Sequence, residues 1–260
     1  MPVYGDFLTF ASKKMYRKPA IFQSYSKVIA AESTRHGGVS PAPYASLNLG
    51  KSTGDTPENV AENRRRFCSA LGLASAQLAW SKQVHGAEIQ LVTRPGGAEG
   101  YDALITRTPG VFVAVSIADC TPILVYDPKN QAIAAIHAGW RGAAANIIGK
   151  TMAALEFHFG TNGADCLAYI GACIDECSFE VGPEVAAQFN TDFKRFDPQR
   201  DRYFIDLKKS CAAQLAACGV PGTQIEISPY STILNNVDYF SHRKENGITG
   251  RMMAVIGIWV

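Results

Sequence analysis

The stretch Val111-Phe112-Val113-Ala114-Val115-Ser116-Ile117-Ala118-Asp119-Cys120-Thr121-Pro122-Ile123-Leu124-Val125-Tyr126 reads as two apolar runs, residues 111–117 and 123–126, parted by a short polar break. A third run follows at residues 132–136. Near-continuous apolar runs with β-branched side chains predict strands covered on both faces. Shorter runs at 89–92, 167–170, 225–228 and 253–258 read the same way. Helices are marked by their ends. Asp55 and Thr56 precede a helix over 57–71 that stops before Gly72, and a long amphipathic stretch over 143–159 stops at Gly160. Pro183 opens a helix over 183–189, and Asp206 caps one over 206–218 that stops at Gly219. Strands and helices do not alternate strictly, and several strands follow one another closely. The expected fold class is α+β, a layered sandwich, instead of a doubly wound parallel sheet.

No repeat, low-complexity tract or linker divides the chain, so one domain is expected. Irregular loops are expected over 36–54 and at the turn around Pro95, Gly96, Gly97 and Gly100. Its 260 residues are 47% hydrophobic and 18% charged, which suits a folded chain with a sizeable core. The formal charge of +2, from 25 basic and 23 acidic residues, argues against a dedicated nucleic-acid or membrane-surface binder. The start has no apolar core after basic residues, and no stretch approaches the roughly 20 apolar residues of a membrane helix. A cytoplasmic protein with its 7 cysteines reduced is the expectation.

Three segments share one grammar, an apolar strand-like run that ends in a reactive residue. They are Trp80-Ser81-Lys82-Gln83-Val84-His85-Gly86, Val113 to Pro122 around Cys120, and Ala134-Ala135-Ile136-His137-Ala138-Gly139-Trp140-Arg141-Gly142. If the strands lie side by side, their ends converge on a cleft. One thiolate and two imidazoles then form a ligand set for zinc with a position left open. Copper also takes such ligands. Yet none of the 5 methionines lies near these segments, and the 5 histidines are too few for a multicopper cluster, so zinc is favoured. The alternative is that these are ordinary structural residues, since free cysteine is often buried and the spacing matches no local zinc pattern. Asp119 beside Cys120, and Asp102, are candidates for acid–base work or for stabilising turns. Cys120 with a histidine can also act as a nucleophilic pair without metal. Gly139 to Ala143 opens the long helix, where free N–H groups and Arg141 suit a phosphate; a tight turn with a solvated arginine is the plainer reading. His158 complements a helix C-terminus, and His36 and His242 are candidates to line a pocket.

Taken in order, further segments complete a pattern. Ser33 to Ser40 and Ser46-Leu47-Asn48-Leu49-Gly50 lead, followed by Glu62-Asn63-Arg64, Gln83 to Gly86 and Asp102 to Thr106. Ala118-Asp119-Cys120-Thr121-Pro122 and His137 to Gly142 are the most specific; Ile170 to Ile174, Phe179 to Gly182, Phe240 to Arg243 and Thr249-Gly250-Arg251 close it. This series resembles the laccase-domain family, also known as multicopper polyphenol oxidoreductase-like proteins and YfiH-type purine nucleoside phosphorylases. Many relatives have cysteine before threonine where this chain has Ser231-Thr232, and an aromatic where it has His242.

The resemblance implies a single α/β/β/α sandwich with mixed sheets over 19–260, similar to the catalytic domain of cytotoxic necrotizing factor toxins, after an extension over 1–18 of unassigned role. It implies metal ligands His85, Cys120 and His137; Asp119, from its place beside Cys120, joins them in the candidate catalytic set. Zinc is the implied cofactor and copper the alternative. The implied activity is phosphorolysis of adenosine, inosine and methylthioadenosine, with adenosine deamination. Arg141 is the phosphate candidate, and Asn48, Arg64, Gln83 and Arg243 are pocket candidates. The partners are then a purine nucleoside and phosphate, with neither nucleic acid nor membrane; the oligomeric state stays open and a monomer is compatible. Competing readings are a copper phenol oxidase, a Cys120–His hydrolase editing peptidoglycan precursors, and a metal-stabilised interaction module.

Overall fold

Strands Thr121–Asp127, Ala132–Ala138 and Met252–Ile258 are buried along their whole length, and Phe112–Ile117 nearly so. The computed structural model, which describes residues 14–260, accounts for this by placing two sheets face to face. The first runs Tyr16–Arg17, Val28–Ser33, Met252–Ile258, Phe112–Ile117, Leu78–Lys82, Gly96–Glu99. The second runs Ile225–Ile227, Leu167–Ile170, Thr121–Asp127, Ala132–Ala138, Ala103–Thr106, Ile89–Leu91. Both are mixed. Met252–Ile258 is antiparallel to both its neighbours, whereas Leu78–Lys82 is parallel to both of its own. Of the expected extension over 1–18, residues 1–13 lie outside the described ones, and Tyr16–Arg17 pairs with Glu32 and Ser33 at the edge of the first sheet.

Alternation along the strands sends side chains into two different layers. Val113 and Val115 meet Leu124, Tyr126, Ile133 and Ala135 between the sheets. Phe112 and Ala114 point the other way, onto Phe67 and Cys68 of helix Pro57–Ala70. Ile123, Val125, Ala134 and Ile136 face helices Ile147–Phe159 and Leu207–Ala217. The result is the α/β/β/α sandwich. A small sheet of Glu180–Val181, Arg202–Ile205 and Lys194–Asp197 stands beside it with its own cluster around Ile174 and Phe179. No helix among the described residues is long and apolar enough to cross a membrane.

Several expectations change. The helix read over 143–159 is two: Trp140–Ala144 and Ile147–Phe159, parted at Asn146, whose φ of 57° is left-handed. The Asn146 side chain accepts the Gly149 N–H and so restarts the helix. The turn expected around Gly96 and Gly97 is instead a strand paired parallel with Leu78–Lys82, and glycine is required at 97 because a Cβ there would meet the Trp80 ring at 2.5 Å. Val28–Ser33 carries an acid, Glu32, at the centre of the fold, which hid it among the apolar strands.

Glu32 is fully buried and ties the sheets together. It accepts the Tyr169 hydroxyl at 2.7 Å and the Ala172 N–H at 2.8 Å. Burial lifts its carboxyl to about 7, against the pull of those two hydrogen bonds. A raised carboxyl binds its proton more tightly in the folded state. Its contribution to stability is therefore lost as pH rises from the ordinary carboxyl range through about 7. One proton sets a limit of about 1.4 kcal/mol per pH unit on that slope. Urea titrations of wild type and Glu32→Gln between pH 5 and 8 (about that range) should show their stability difference moving toward the glutamine variant as pH rises; a pH-independent difference would contradict this.

Candidate metal centre and its cavity

Ile117 ends a strand of the first sheet and Thr121 begins one of the second, so Ala118, Asp119 and Cys120 form the crossing between sheets. The next strand returns antiparallel with His137 opposite Pro122, which sets the imidazole beside the crossing. His85 arrives from the loop after Leu78–Lys82. One ligand atom from each of His85, Cys120 and His137 lies within 4.8 Å of the others. The two imidazoles meet edge to face at 4.9 Å.

Asp102, fully buried, organises this group. One carboxylate oxygen accepts the His85 N–H at 3.0 Å and faces Nδ1 of His137 at 2.7 Å. The other accepts the N–H groups of Val84 at 3.1 Å and Gly86 at 2.8 Å. Its carbonyl accepts the His137 N–H at 2.7 Å. A carboxylate only accepts, so Nδ1 of His137 carries the proton and Nε2 is left for Cys120 or a metal. The backbone bonds also hold His85 at a φ of 59°, a left-handed conformation costing about 1–2 kcal/mol without glycine. Burial opposes the Asp102 charge, but His137 and these N–H groups keep its pKa below the ordinary value.

Burial also opposes a thiolate at Cys120, yet His137 and His85 outweigh it and bring the thiol down to about 6. His137 is the counterpart: burial lowers it, while Cys120 and Asp102 lift it to about 9. Thiolate and imidazolium are thus held side by side in the metal-free site; once Nε2 of His137 releases its proton, His137 joins Cys120 and His85 as a donor set of the type that takes zinc or copper. The ligands crowd around Gly139, where a Cβ would stand 3.1 Å from Cys120 Sγ, 3.1 Å from the His85 ring and 3.8 Å from that of His137.

Asp119 adopts a φ of 84° and is nearly buried. Its oxygens accept from the Thr232 hydroxyl at 2.5 Å and the Arg243 N–H at 2.7 Å. These bonds tie the crossing to the segments carrying Thr232 and Arg243. Of the expected contacts, Arg64, Gln83, Arg141 and Arg243 line the same 520 Å³ cavity as the cluster. Gln83 spends its amide on both backbone groups of Ser116. Arg141 is exposed, lies over the Trp140 ring at 4.3 Å, and stands on a helix of only 5 residues instead of opening a long one. Asn48 is fully buried behind the wall, where it accepts the N–H groups of Gly50 and Arg251. His242 lines the cavity, whereas His36 pairs with Asp238 elsewhere.

Sequence reasoning missed Lys51 and Arg251 as lining residues. The signal available was a glycine directly before a cation in a loop, at Gly50-Lys51 and Gly250-Arg251. It missed the aromatic wall of Trp80, Trp140 and Phe179 as well. Six cations, Lys51, Arg64, Lys82, Arg141, Arg243 and Arg251, line this cavity with one carboxylate, Asp119. The volume suits a small organic ligand, and the charge suits an anion.

The family model for multi-copper polyphenol oxidoreductase laccase matches residues 29–259. The chain belongs to this family. A purine nucleoside phosphorylase of Bacteroides thetaiotaomicron is 37% identical over 251 residues, covering 90% of this chain and 93% of the relative. Purine nucleoside phosphorylase YfiH of Escherichia coli is 39% identical over 234 residues, covering 88% and 93%. The crystal structure of YlmD from Geobacillus stearothermophilus superposes with a TM-score of 0.89 at 32% identity, covering 95% of this chain and 97% of that one. The laccase-family fold is therefore shared along nearly the whole length.

Two outcomes follow from this geometry. In metal-free protein, alkylation of Cys120 by iodoacetamide should rise through about pH 6, below the range of ordinary thiols, and zinc should suppress it. Mass spectrometry of the labelled peptide against pH checks this, and labelling that begins only above pH 8 (roughly the ordinary thiol range) would refute it. Gly139→Ala should fold normally, because Gly139 has a φ of −69° that alanine accepts. Its added methyl should displace Cys120 and His85, lowering zinc affinity about tenfold or more in a chelator competition, the scale set by disturbed ligand orientation.

Proposed function

We propose that this laccase-family chain is a zinc-dependent purine nucleoside phosphorylase. Its substrates are adenosine, inosine and methylthioadenosine, and it also deaminates adenosine. The observation that carries this reading is a three-ligand cluster of His85, Cys120 and His137 opening into a 520 Å³ cavity lined by cations and aromatic rings. The relatives in Bacteroides thetaiotaomicron and Escherichia coli, named purine nucleoside phosphorylases, support it.

Phosphorolysis brings phosphate to the anomeric carbon of ribose as the purine departs. The site must hold an anion next to a sugar, exclude water that would compete, and stabilise charge on the leaving base. Cations supply the first need. The aromatic walls suit the flat base and keep water out. The donor set fits zinc: one thiolate and two imidazoles, with His137 oriented by a carboxylate on its other nitrogen and no side chain at Gly139 to block approach. Bound there, zinc supplies Lewis-acid polarisation of a substrate oxygen or nitrogen. Asp119 has both oxygens occupied by Thr232 and Arg243, so it serves by keeping Cys120 and Arg243 in place. With its thiols reduced, the enzyme would work in the cytoplasm on free nucleosides.

The copper-oxidase reading keeps the same ligands. Among the described residues the cluster holds two imidazoles, and His242 is the one other histidine in the cavity wall, which disfavours a multinuclear copper centre.

Zinc-loaded protein incubated with adenosine should release adenine and ribose 1-phosphate only when phosphate is present, and inosine without it. Cys120→Ala should lose zinc and both products. Chromatography of the products together with metal analysis decides. Turnover of phenols by copper-loaded protein, without any purine product, would replace this reading with the oxidase.

A further inference from the structure

Arg64 is an arginine on helix Pro57–Ala70 with only 6% of its surface exposed, and it makes no ion pair among the described residues. Its Nε donates to the Leu49 carbonyl at 2.9 Å; the two terminal nitrogens make no hydrogen bond there, although the residue lines the cavity. Buried arginines ordinarily meet a carboxylate, because an unpaired cation out of water is costly. Two further cations stand beside it without an ion pair among the described residues, Lys51 exposed and Arg251 half-buried. Lys51 lies over the Trp80 ring at 4.1 Å, and Arg64 over that ring at 5.2 Å. Arg251 gives one terminal nitrogen to the carbonyls of Thr249 and Gly250, and its remaining nitrogens are uncommitted among the described residues.

One short segment seats all three. The Leu49 carbonyl takes Arg64, and the Leu49 N–H donates to the Arg251 carbonyl at 2.9 Å. Gly50 lets the Arg251 stem pass so close that a Cβ would meet its Cγ at 2.5 Å. Asn48 then accepts the Arg251 N–H and is itself held by Thr53 and Asp55. The segment thus keeps three cations together with no direct ion pair among the described residues. Burial and repulsion from Arg64 lower the pKa of Lys51, and burial brings Arg64 down to about 10, so the Arg64 guanidinium remains cationic at neutral pH. Arg251 also lies within electrostatic reach of Cys120 and Asp119, which puts this wall beside the His–Cys–His cluster.

We infer that Lys51, Arg64 and Arg251 form the subsite for the phosphate dianion, leaving the wall of Ile174, Phe179 and Leu207 to the purine. The inference rests on the phosphorylase reading for the identity of the anion. It differs from the expectation of an anion at Arg141, whose short helix and exposed guanidinium offer no such enclosure. Planar guanidinium groups can pair two oxygens each, and the neighbouring ammonium balances the remaining charge. Phosphate bound there offsets the repulsion between Lys51 and Arg64.

The test is titration of zinc-loaded protein with inorganic phosphate, by calorimetry or phosphorus NMR, for wild type, Lys51→Met, Arg251→Gln, Arg64→Gln and Arg141→Gln. Lys51 is exposed and makes no structural hydrogen bond among the described residues, so its variant reports on binding even if Arg64→Gln fails to fold. Circular dichroism confirms the fold of each. Phosphate affinity should fall about tenfold or more in the Lys51 and Arg251 variants, the scale of one charge-assisted contact, and less in Arg141→Gln. The KM for adenosine should change less than that for phosphate. Undiminished phosphate affinity in the Lys51 and Arg251 variants, or loss only in Arg141→Gln, overturns the assignment. Wild type that binds phosphate through these residues but forms no ribose 1-phosphate upholds the subsite and removes phosphorolysis. Phosphorolysis with an unchanged KM for phosphate in these variants does the reverse.

Discussion

The carboxylate of Asp102 is the constraint on which the site depends. It accepts three consecutive N–H groups, those of Val84, His85 and Gly86, and holds Nδ1 of His137. One buried charge thereby shapes a loop, fixes a tautomer and aims two imidazoles at a common point. The arrangement is consistent with the cost of burying a carboxylate, since each oxygen accepts two hydrogen bonds. It also sustains the left-handed backbone at His85, which has no glycine to ease it.

The same logic of satisfied and unsatisfied charge runs through the rest of the molecule. Glu32 and Asp119 are buried acids whose oxygens are fully employed, the first joining two sheets and the second pinning the crossing between them. Cys120 and His137 compensate one another. Against that background the cations at Lys51, Arg64 and Arg251 stand out. Arg64 and Arg251 are anchored on backbone carbonyls, but none of the three forms an ion pair among the described residues. The buried acids thus have hydrogen-bond partners, whereas these three cations face the cavity without an ion pair among the described residues.

Glycine at two positions belongs to the same design. Gly139 makes room for three ligand side chains, and Gly50 makes room for an arginine stem. Neither has a positive φ, so the need is for space and not for an unusual backbone. A search for conformationally demanding glycines would pass over both.

The sequence alone determined most of the apolar strands and the helix ends at Gly72, Gly160 and Gly219, and with them the layered class, because burial on both faces and capping leave local patterns that need no partner to be read. Through the family resemblance it also singled out His85, Cys120 and His137, residues far apart in the chain whose chemistry makes sense only together. It could not show Val28–Ser33 as a central strand, since Glu32 looks out of place until Tyr169 meets it. Nor could it show the edge strand at Gly96–Glu99, which forms by pairing with Leu78–Lys82 and whose glycine makes room for the Trp80 ring. Asn48 and Arg64 come from neighbouring motifs, yet one is sealed behind the wall and the other reaches the cavity. That division, like the convergence of Lys51 and Arg251 on Arg64, is decided by which face of a loop or helix meets the sheet. It is a property of packing in three dimensions, and no spacing along the chain encodes it.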